Sequence, residues 1–219
     1  MKTKTYLILS IVLLTGVSCS NTNYIQAVDL GLPSGLKWAS CNVGATTPED
    51  YGDYYAWGET TPKYDYSWTT YKYAYNDDRT LFKYCNKAKY KYGDIGFIDN
   101  KTVLEPEDDA AHANWGGKWR MPTYAEWTEL LENCTWTWTR QNGILGYQVA
   151  SKTNGNSIFL PAARGYYGTN FAGHGGDYWS SSLYEYRPNS AWEFNFDSGY
   201  VDWDNSHRSN GKSVRPVCL

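Results

Sequence analysis

The residues best suited to chemistry lie near the C-terminus, where polar side chains alternate with aromatic ones. In "AWEFNFDSGYVDWDN" (191–205), strand alternation would turn Trp192, Phe194 and Phe196 inward and the polar residues outward. Rigid aromatics with Asn, Asp and Ser are typical of surfaces that bind proteins or sugars, and the alternative is an idle solvated sheet face. The predicted ligand-binding residues are Tyr184, Tyr186, Asn189, Glu193, Asn195, Asp197, Tyr200, Asp202, Trp203, Asn205, His207 and Asn210.

Catalytic chemistry has much weaker support. The chain has three histidines and no GxSxG nucleophile elbow, and "GHGGD" (173–177) resembles a turn more than an oxyanion loop. The acidic run "EPEDDAAH" (105–112) is the only dense carboxylate cluster, and calcium needs six to eight oxygen ligands. We therefore expect no catalytic residues, no metal and no cofactor.

The cysteines suggest disulfides in an exported protein. Past Cys19 there are four, an even count that permits three pairings. We expect Cys41 to pair with Cys218 and Cys85 with Cys134, and buried free thiols are the alternative. No CxxC spacing indicates zinc.

The N-terminus reads as an export signal. Two lysines precede an apolar run too short to span a bilayer, and "GVSC" (16–19) resembles a bacterial lipobox. The sequence thus predicts a signal peptide over 1–18, lipidation of Cys19 and a tether over 19–27. An ordinary signal peptide cut near Ser18 is the alternative. The predicted location is the outer membrane of the cell envelope, on either face.

Composition limits the partners. The formal net charge of −3 falls to −5 when the two lysines of the signal are removed, which argues against a nucleic-acid partner. The remaining length suits one domain, predicted over 28–219. Tyrosine (21) and tryptophan (11) far outnumber phenylalanine (6), as expected where one side of a ring packs and the other meets water or a partner. The alternative is a loop-rich fold that uses large aromatic side chains for packing alone.

Several elements can be read from local signals. Thr123 and Glu126 form a capping box that predicts a helix over 124–133. Two short strands flank a turn at 33–35, and Asn154-Gly155 predicts a hairpin. A glycine-rich loop precedes a short strand at 178–180, and final strands lie near 191–197 and 213–217, with another at 200–203. The remaining stretch, 46–100, reads as a long irregular region with one short helix.

These segments resemble a known group of domains. The helix after "WGGKWRMPT" and the ending "YWSSS…SVRPV" resemble the C-type-lectin-like fold of the formylglycine-generating-enzyme family. With "VDLGLPSGLKWASCNVGA" and "YGDYYAWGET", the chain is more similar to the Fibrobacter succinogenes major paralogous domain family, surface or secreted proteins common in gut Bacteroidales. The resemblance implies one α+β domain with short twisted antiparallel strands, one well-capped helix and long ordered loops.

The resemblance also bears on function. The oxidising relatives hold copper with two nearby cysteines, whereas the last third of this chain has Cys218 alone, so that activity is not expected. The calcium motifs of true lectins are altered here to Arg187-Pro188-Asn189 and Trp203-Asp204-Asn205. The expected function is binding of a glycan or surface protein by a lipid-anchored protein. The alternatives are a variable receptor diversified by a retroelement, whose variable proteins share this fold, and a structural envelope or appendage component.

Overall fold

The computed structural model describes residues 25–90 and 98–219. The predicted signal peptide and Cys19 lie outside the described residues, as does most of the tether. Twelve strands and two α-helices are found in the described part of the chain. They are β1 (Ala27–Asp29), β2 (Lys37–Ala39), α1 (Ala110–Trp115), α2 (Tyr124–Asn133), β3 (Cys134–Gln141), β4 (Ile144–Ser151), β5 (Ser157–Pro161), β6 (Gly165–Tyr167), β7 (Asn170–Ala172), β8 (Gly176–Leu183), β9 (Ser190–Phe196), β10 (Val201–His207), β11 (Gly211–Lys212) and β12 (Val217–Cys218).

The strands form four small antiparallel sheets, which confirms the α+β class. Their strand orders are β1-β2-β12, β3-β4-β5, β11-β6-β7 and β10-β9-β8. The predicted strands at the start of the domain pair as β1 and β2, with Val28 opposite Trp38. The turn between them is closed by a hydrogen bond from Gly35 N to Leu32 O at 2.9 Å.

Helix α2 begins as its capping box predicts. The Thr123 side chain accepts a hydrogen bond from Glu126 N, and the Glu126 carboxylate accepts one from Thr123 N at 2.8 Å. Arg120 also binds this carboxylate, which fixes the chain entering the helix. The helix buries Trp127 and Leu130, and the Trp127 ring stacks on Phe194 with 4.7 Å between centroids.

The β-hairpins were predicted only in part. The turn at Asn154-Gly155 joins β4 and β5 as expected, with Gly155 at a φ of 74°. A second Asn-Gly pair joins β3 to β4, and its residues Asn142 and Gly143 have φ values of 48° and 88°. These positive values suit a two-residue turn that matches strand twist. The sequence prediction missed β3 although its Thr and Trp residues alternate.

The glycine-rich loop was predicted wrongly. Residues 165–172 form the hairpin of β6 and β7, and β8 is longer than the predicted strand at 178–180. The predicted strand at 213–217 is reduced to β12, because Ser213 N donates to Asp177 O and Val214 O accepts from Val43 N, so these two residues do not pair with β2. The strands near 191–197 and 200–203 are confirmed as β9 and β10. The described part of 46–100 holds two short 3₁₀ turns, at Trp68–Thr70 and Ala88–Tyr90, and is otherwise irregular, as predicted.

Two hydrophobic cores lie on either side of the sheet β10-β9-β8. One core contains Trp57, Tyr84 and Trp179, and the other contains Trp127, Tyr178 and Phe194. Because neighbouring strand residues point to opposite faces, Tyr178 and Trp179 of β8 enter different cores. The sheet is therefore packed on both sides rather than on one.

The predicted disulfides are wrong, and the alternative of buried free thiols holds for all four described cysteines. Cys85 lies in the first core and Cys134 in the second, so the sheet separates them. In the pairing of β12 with β2, Cys218 lies opposite Lys37. Lys37 is four residues before Cys41, so the two cysteines are not paired across the strands. The Cys41 thiol instead donates to Ala45 O at 3.6 Å.

Candidate functional site

The inward positions of β9 agree with the prediction. Phe194 and Phe196 are fully buried, and Trp192 is half-buried at the end of the same face. Across the sheet, Trp203 lies opposite Phe194 and Asn205 opposite Trp192. Trp203 and Asn205 therefore share the packed face, and both are half-buried.

The outward positions of β9 do not agree. Glu193 was expected in solvent, but it is buried and its Oε2 atom lies 2.5 Å from Nζ of Lys212, which is 0 % exposed. Burial raises the pKa of Glu193, against the attraction of Lys212. Burial opposes the charge of Lys212, but Glu193 and Asp177 together raise its pKa. We call Asp177, Glu193 and Lys212 the buried polar cluster; the first core, which contains Trp179, covers this face, and strand alternation alone could not show this.

A chain of hydrogen bonds leads from this cluster to the surface. Asn195 donates from Nδ2 to Oδ1 of Asp177, and Oδ1 of Asn195 accepts from the Tyr200 hydroxyl at 2.5 Å. Tyr167 donates to Asp177 Oδ2 at 3.3 Å and covers the lysine. Asn195 and Tyr200 thus have structural partners, although the Tyr200 ring is half exposed.

Three acidic residues of the predicted binding surface, Asp197, Asp202 and Asp204, lie beside one another at the edge of the sheet. We call them the acidic rim. Asp202 and Asp204 are exposed on β10, and Asp197 accepts a hydrogen bond from Gly199 N at 2.7 Å in the turn before it. Asp202 lies opposite Asn195, and Asp204 opposite Glu193, so the rim borders the buried polar cluster.

A separate group of rings lies where β8 and β9 meet the helix. Tyr184 contacts Tyr186 and Trp192, with centroids 5.5 and 4.7 Å away. Trp192 also lies 4.7 Å from Tyr124, the first residue of α2. Beside these rings is an open groove of about 380 Å³, lined by Asn86, Lys87, Glu185, Tyr186 and Trp192. We call this the aromatic groove; Tyr186 is its most exposed ring, with 72 % of its surface accessible.

Two asparagine residues at or near the groove each have a buried side-chain oxygen without a described hydrogen-bond donor. Asn86 donates from Nδ2 to Glu185 O at 3.1 Å, whereas its buried Oδ1 accepts no hydrogen bond from the described residues. The carbonyl partner fixes which end of the amide is the nitrogen. Asn189, which follows Glu185 in the same loop, has the same arrangement: Nδ2 donates to Asp78 at 2.8 Å and Oδ1 has no described donor. Asn189 is buried, contrary to its prediction as a surface residue.

A buried arginine holds the two walls of the groove together. Arg208 donates to Pro188 O at 2.9 Å on one wall, and to Tyr84 O and Lys83 O, each at 3.1 Å, on the other. Its guanidinium lies over the Trp57 ring, 4.9 Å from the centroid. Sequence reasoning missed Asn86, Lys87 and Arg208; the only available signal was that long loops in compact domains often bind ligands.

His207 and Asn210, the last two predicted ligand-binding residues, do not line the groove. The exposed His207 lies 5.6 Å from the Trp68 ring, and Asn210 donates to Ser206 Oγ at 2.9 Å. The predicted set therefore divides between the aromatic groove, the acidic rim and positions held by structural contacts.

The acidic run of the sequence already has a cation. Carboxylates of Glu105, Glu107 and Asp108 lie close together, and Nζ of Lys83 is 2.8 Å from Glu105 and 2.5 Å from Asp108. Burial alone would raise the pKa of Asp108, but hydrogen bonds from Lys83, Tyr73 and Tyr84 lower it to about 2. The Lys83 ammonium group therefore neutralises part of the negative charge of this cluster.

Comparison with protein-family models, with curated proteins and with solved structures gives no match. Neither helix in the described ranges is long and apolar enough for a bilayer span.

Proposed function

We propose that this chain is a cell-envelope protein of C-type-lectin-like fold, anchored through lipid on Cys19, that binds a glycan in the aromatic groove. The observation that carries the proposal is the exposed ring of Tyr186, which lines an open groove together with Trp192. The family resemblance of the sequence supports the fold and the location.

The groove offers what a sugar needs. The C–H faces of a pyranose ring pack on Tyr and Trp, which give contact area at low entropic cost. Glu185 and Lys87 supply an acceptor and a donor at the edge. Arg208 keeps both walls in place, so little ordering is required on binding.

The direct test is a glycan array probed with the full chain and with two matched variants. Tyr186→Ala should weaken binding about 3- to 10-fold, because one aromatic contact contributes about 0.5–1.5 kcal/mol. The control is Tyr64→Ala, which removes a tyrosine that is 84 % exposed outside the groove. Equal loss in both variants, or none in Tyr186→Ala, would refute the groove. The anchor is tested separately: palmitate labelling should disappear in Cys19→Ala.

A second candidate is a protein ligand bound by a diversified surface. It is favoured by the exposed side chains of β10, where Asp202, Asp204 and His207 could change without disturbing either core. Variation would then concentrate at these positions and spare buried Asn189 and Glu193. Sequencing the gene across isolates tests this, and equal variation at Glu193 and Asp202 would contradict it. A purely structural envelope component remains the reading if neither glycans nor proteins bind.

A further inference from the structure

The edges of the four sheets differ in how they are protected. Strand β8 has its outer edge covered, because Leu104 N donates to Ser181 O and Leu183 N to Thr102 O. Strand β10 carries the charges of Asp202 and Asp204, and β5 ends in a proline. Strands β1, β7, β11 and β12 have three residues or fewer. Charges, prolines and short length are the usual means of preventing edge pairing.

Strand β3 lacks these protections apart from one charged residue, Arg140, near its end. It is eight residues long, lies at the edge of its sheet and pairs with β4 from Cys134 to Gln141 without a register shift. No other strand of the described residues pairs with its outer side. Residues 135–139 contain no charge, and Arg140 donates to Gly143 O of its own hairpin turn at 3.0 Å.

The hairpin determines which backbone groups are free. A two-residue turn makes Gln141 and Ile144 a hydrogen-bonded pair, so the odd-numbered residues of β3 bond to β4. The N–H and C=O groups of Trp136 and Trp138 therefore point outward. An antiparallel strand from another molecule could form backbone hydrogen bonds with the N–H and C=O groups of both residues.

The residues themselves indicate which strand fits. The segment 135–139 reads Thr-Trp-Thr-Trp-Thr, the same in both directions about Thr137. A two-fold axis at Thr137 would place each residue opposite its own type: Trp136 opposite Trp138 as a hydrogen-bonded pair, and Thr135 opposite Thr139. Cross-strand Thr–Thr and aromatic pairs are favourable. Such a contact is isologous, as in most two-fold dimers.

We propose that two copies of this chain associate through β3, forming one continuous six-stranded sheet about a two-fold axis at Thr137. The contact uses no residue of the aromatic groove, so it presents two grooves per dimer and raises the avidity for a repeating ligand.

Cysteine cross-linking of the full chain tests the register. Thr137→Cys places two thiols opposite each other at the axis and should give a disulfide-linked dimer under mild oxidation. Thr135→Cys is the matched control, because its partner across the axis is Thr139 and its own copy lies about 13 Å away. Thr135→Cys alone should give at least 10-fold less dimer, and mixing it with Thr139→Cys should restore the product.

Equal cross-linking by Thr135→Cys and Thr137→Cys would overturn the two-fold register. Sedimentation of the unmodified chain supplies an independent measurement: a monomer at all concentrations up to about 100 μM would overturn the dimer. Thr137→Lys should dissociate it by bringing two charges together, and Thr153→Lys, an exposed turn substitution, should not.

Discussion

Trp192 and Glu193 are neighbours on β9, yet they belong to opposite kinds of environment. The apolar Trp192 reaches the surface and lines an open groove, whereas the charged Glu193 is buried against Lys212. Each face of the sheet covers a core, so a residue of β9 can be buried on either face whatever its polarity. In this molecule a polar side chain is therefore a poor indicator of exposure to solvent.

The largest effect on the difference between these two environments is expected from removing the positive charge of Lys212. Lys212→Met leaves Glu193 and Asp177 buried without their counter-charge, and losing one member of a buried pair costs about 3–5 kcal/mol. Urea unfolding should show this fall in the free energy of unfolding. The control Asp202→Asn alters an exposed carboxylate of the same sheet and should change it by no more than about 0.5 kcal/mol. Equal effects would mean that Glu193 is solvated after all.

A second buried carboxylate gives a pH signature. The pKa of Asp108 falls from 3.8 to about 2 in the folded chain, so its stabilising contribution is present above pH 3.8 and is lost as the pH falls toward 2. A shift of this size corresponds to about 2 kcal/mol. Asp108→Asn should flatten the loss of stability between about pH 5 and pH 2, measured by urea unfolding at each pH.

The sign of the shift distinguishes Asp108 from Glu193. Because the folded-state pKa of Glu193 is raised above 4.5, its contribution favours the folded state at low pH and declines as the pH rises through the folded value. Glu193→Gln should therefore remove a decline in stability above pH 4.5, and Asp108→Asn should not. The same response in both variants would contradict the two environments.

Local signals were enough for the elements that depend on near neighbours. Thr123 with Glu126, and Asn154 with Gly155, specify a cap and a turn within a few residues, and both are found. The same reasoning could have found β3 from its Asn142-Gly143 turn. It could not find the burial of Glu193 or the two separate cores of Cys85 and Cys134, because these depend on how distant segments stack. The groove needs Asn86, a residue of the irregular region that no periodicity marks.

The smallest expected effect decides between the rim and the groove. Tyr200→Phe removes the hydroxyl that donates to Asn195, and a single hydrogen bond of this kind contributes about 0.5–1.5 kcal/mol to stability. Because the Tyr200 side chain is half exposed, we expect a loss of free energy of unfolding at the low end of that range. Urea unfolding measures this loss, and glycan binding should not change. If Tyr200→Phe weakens binding and leaves stability untouched, the ligand lies near the acidic rim instead of in the groove. If stability alone falls, Tyr200 belongs to the chain of contacts leading to Lys212, and the groove keeps its role.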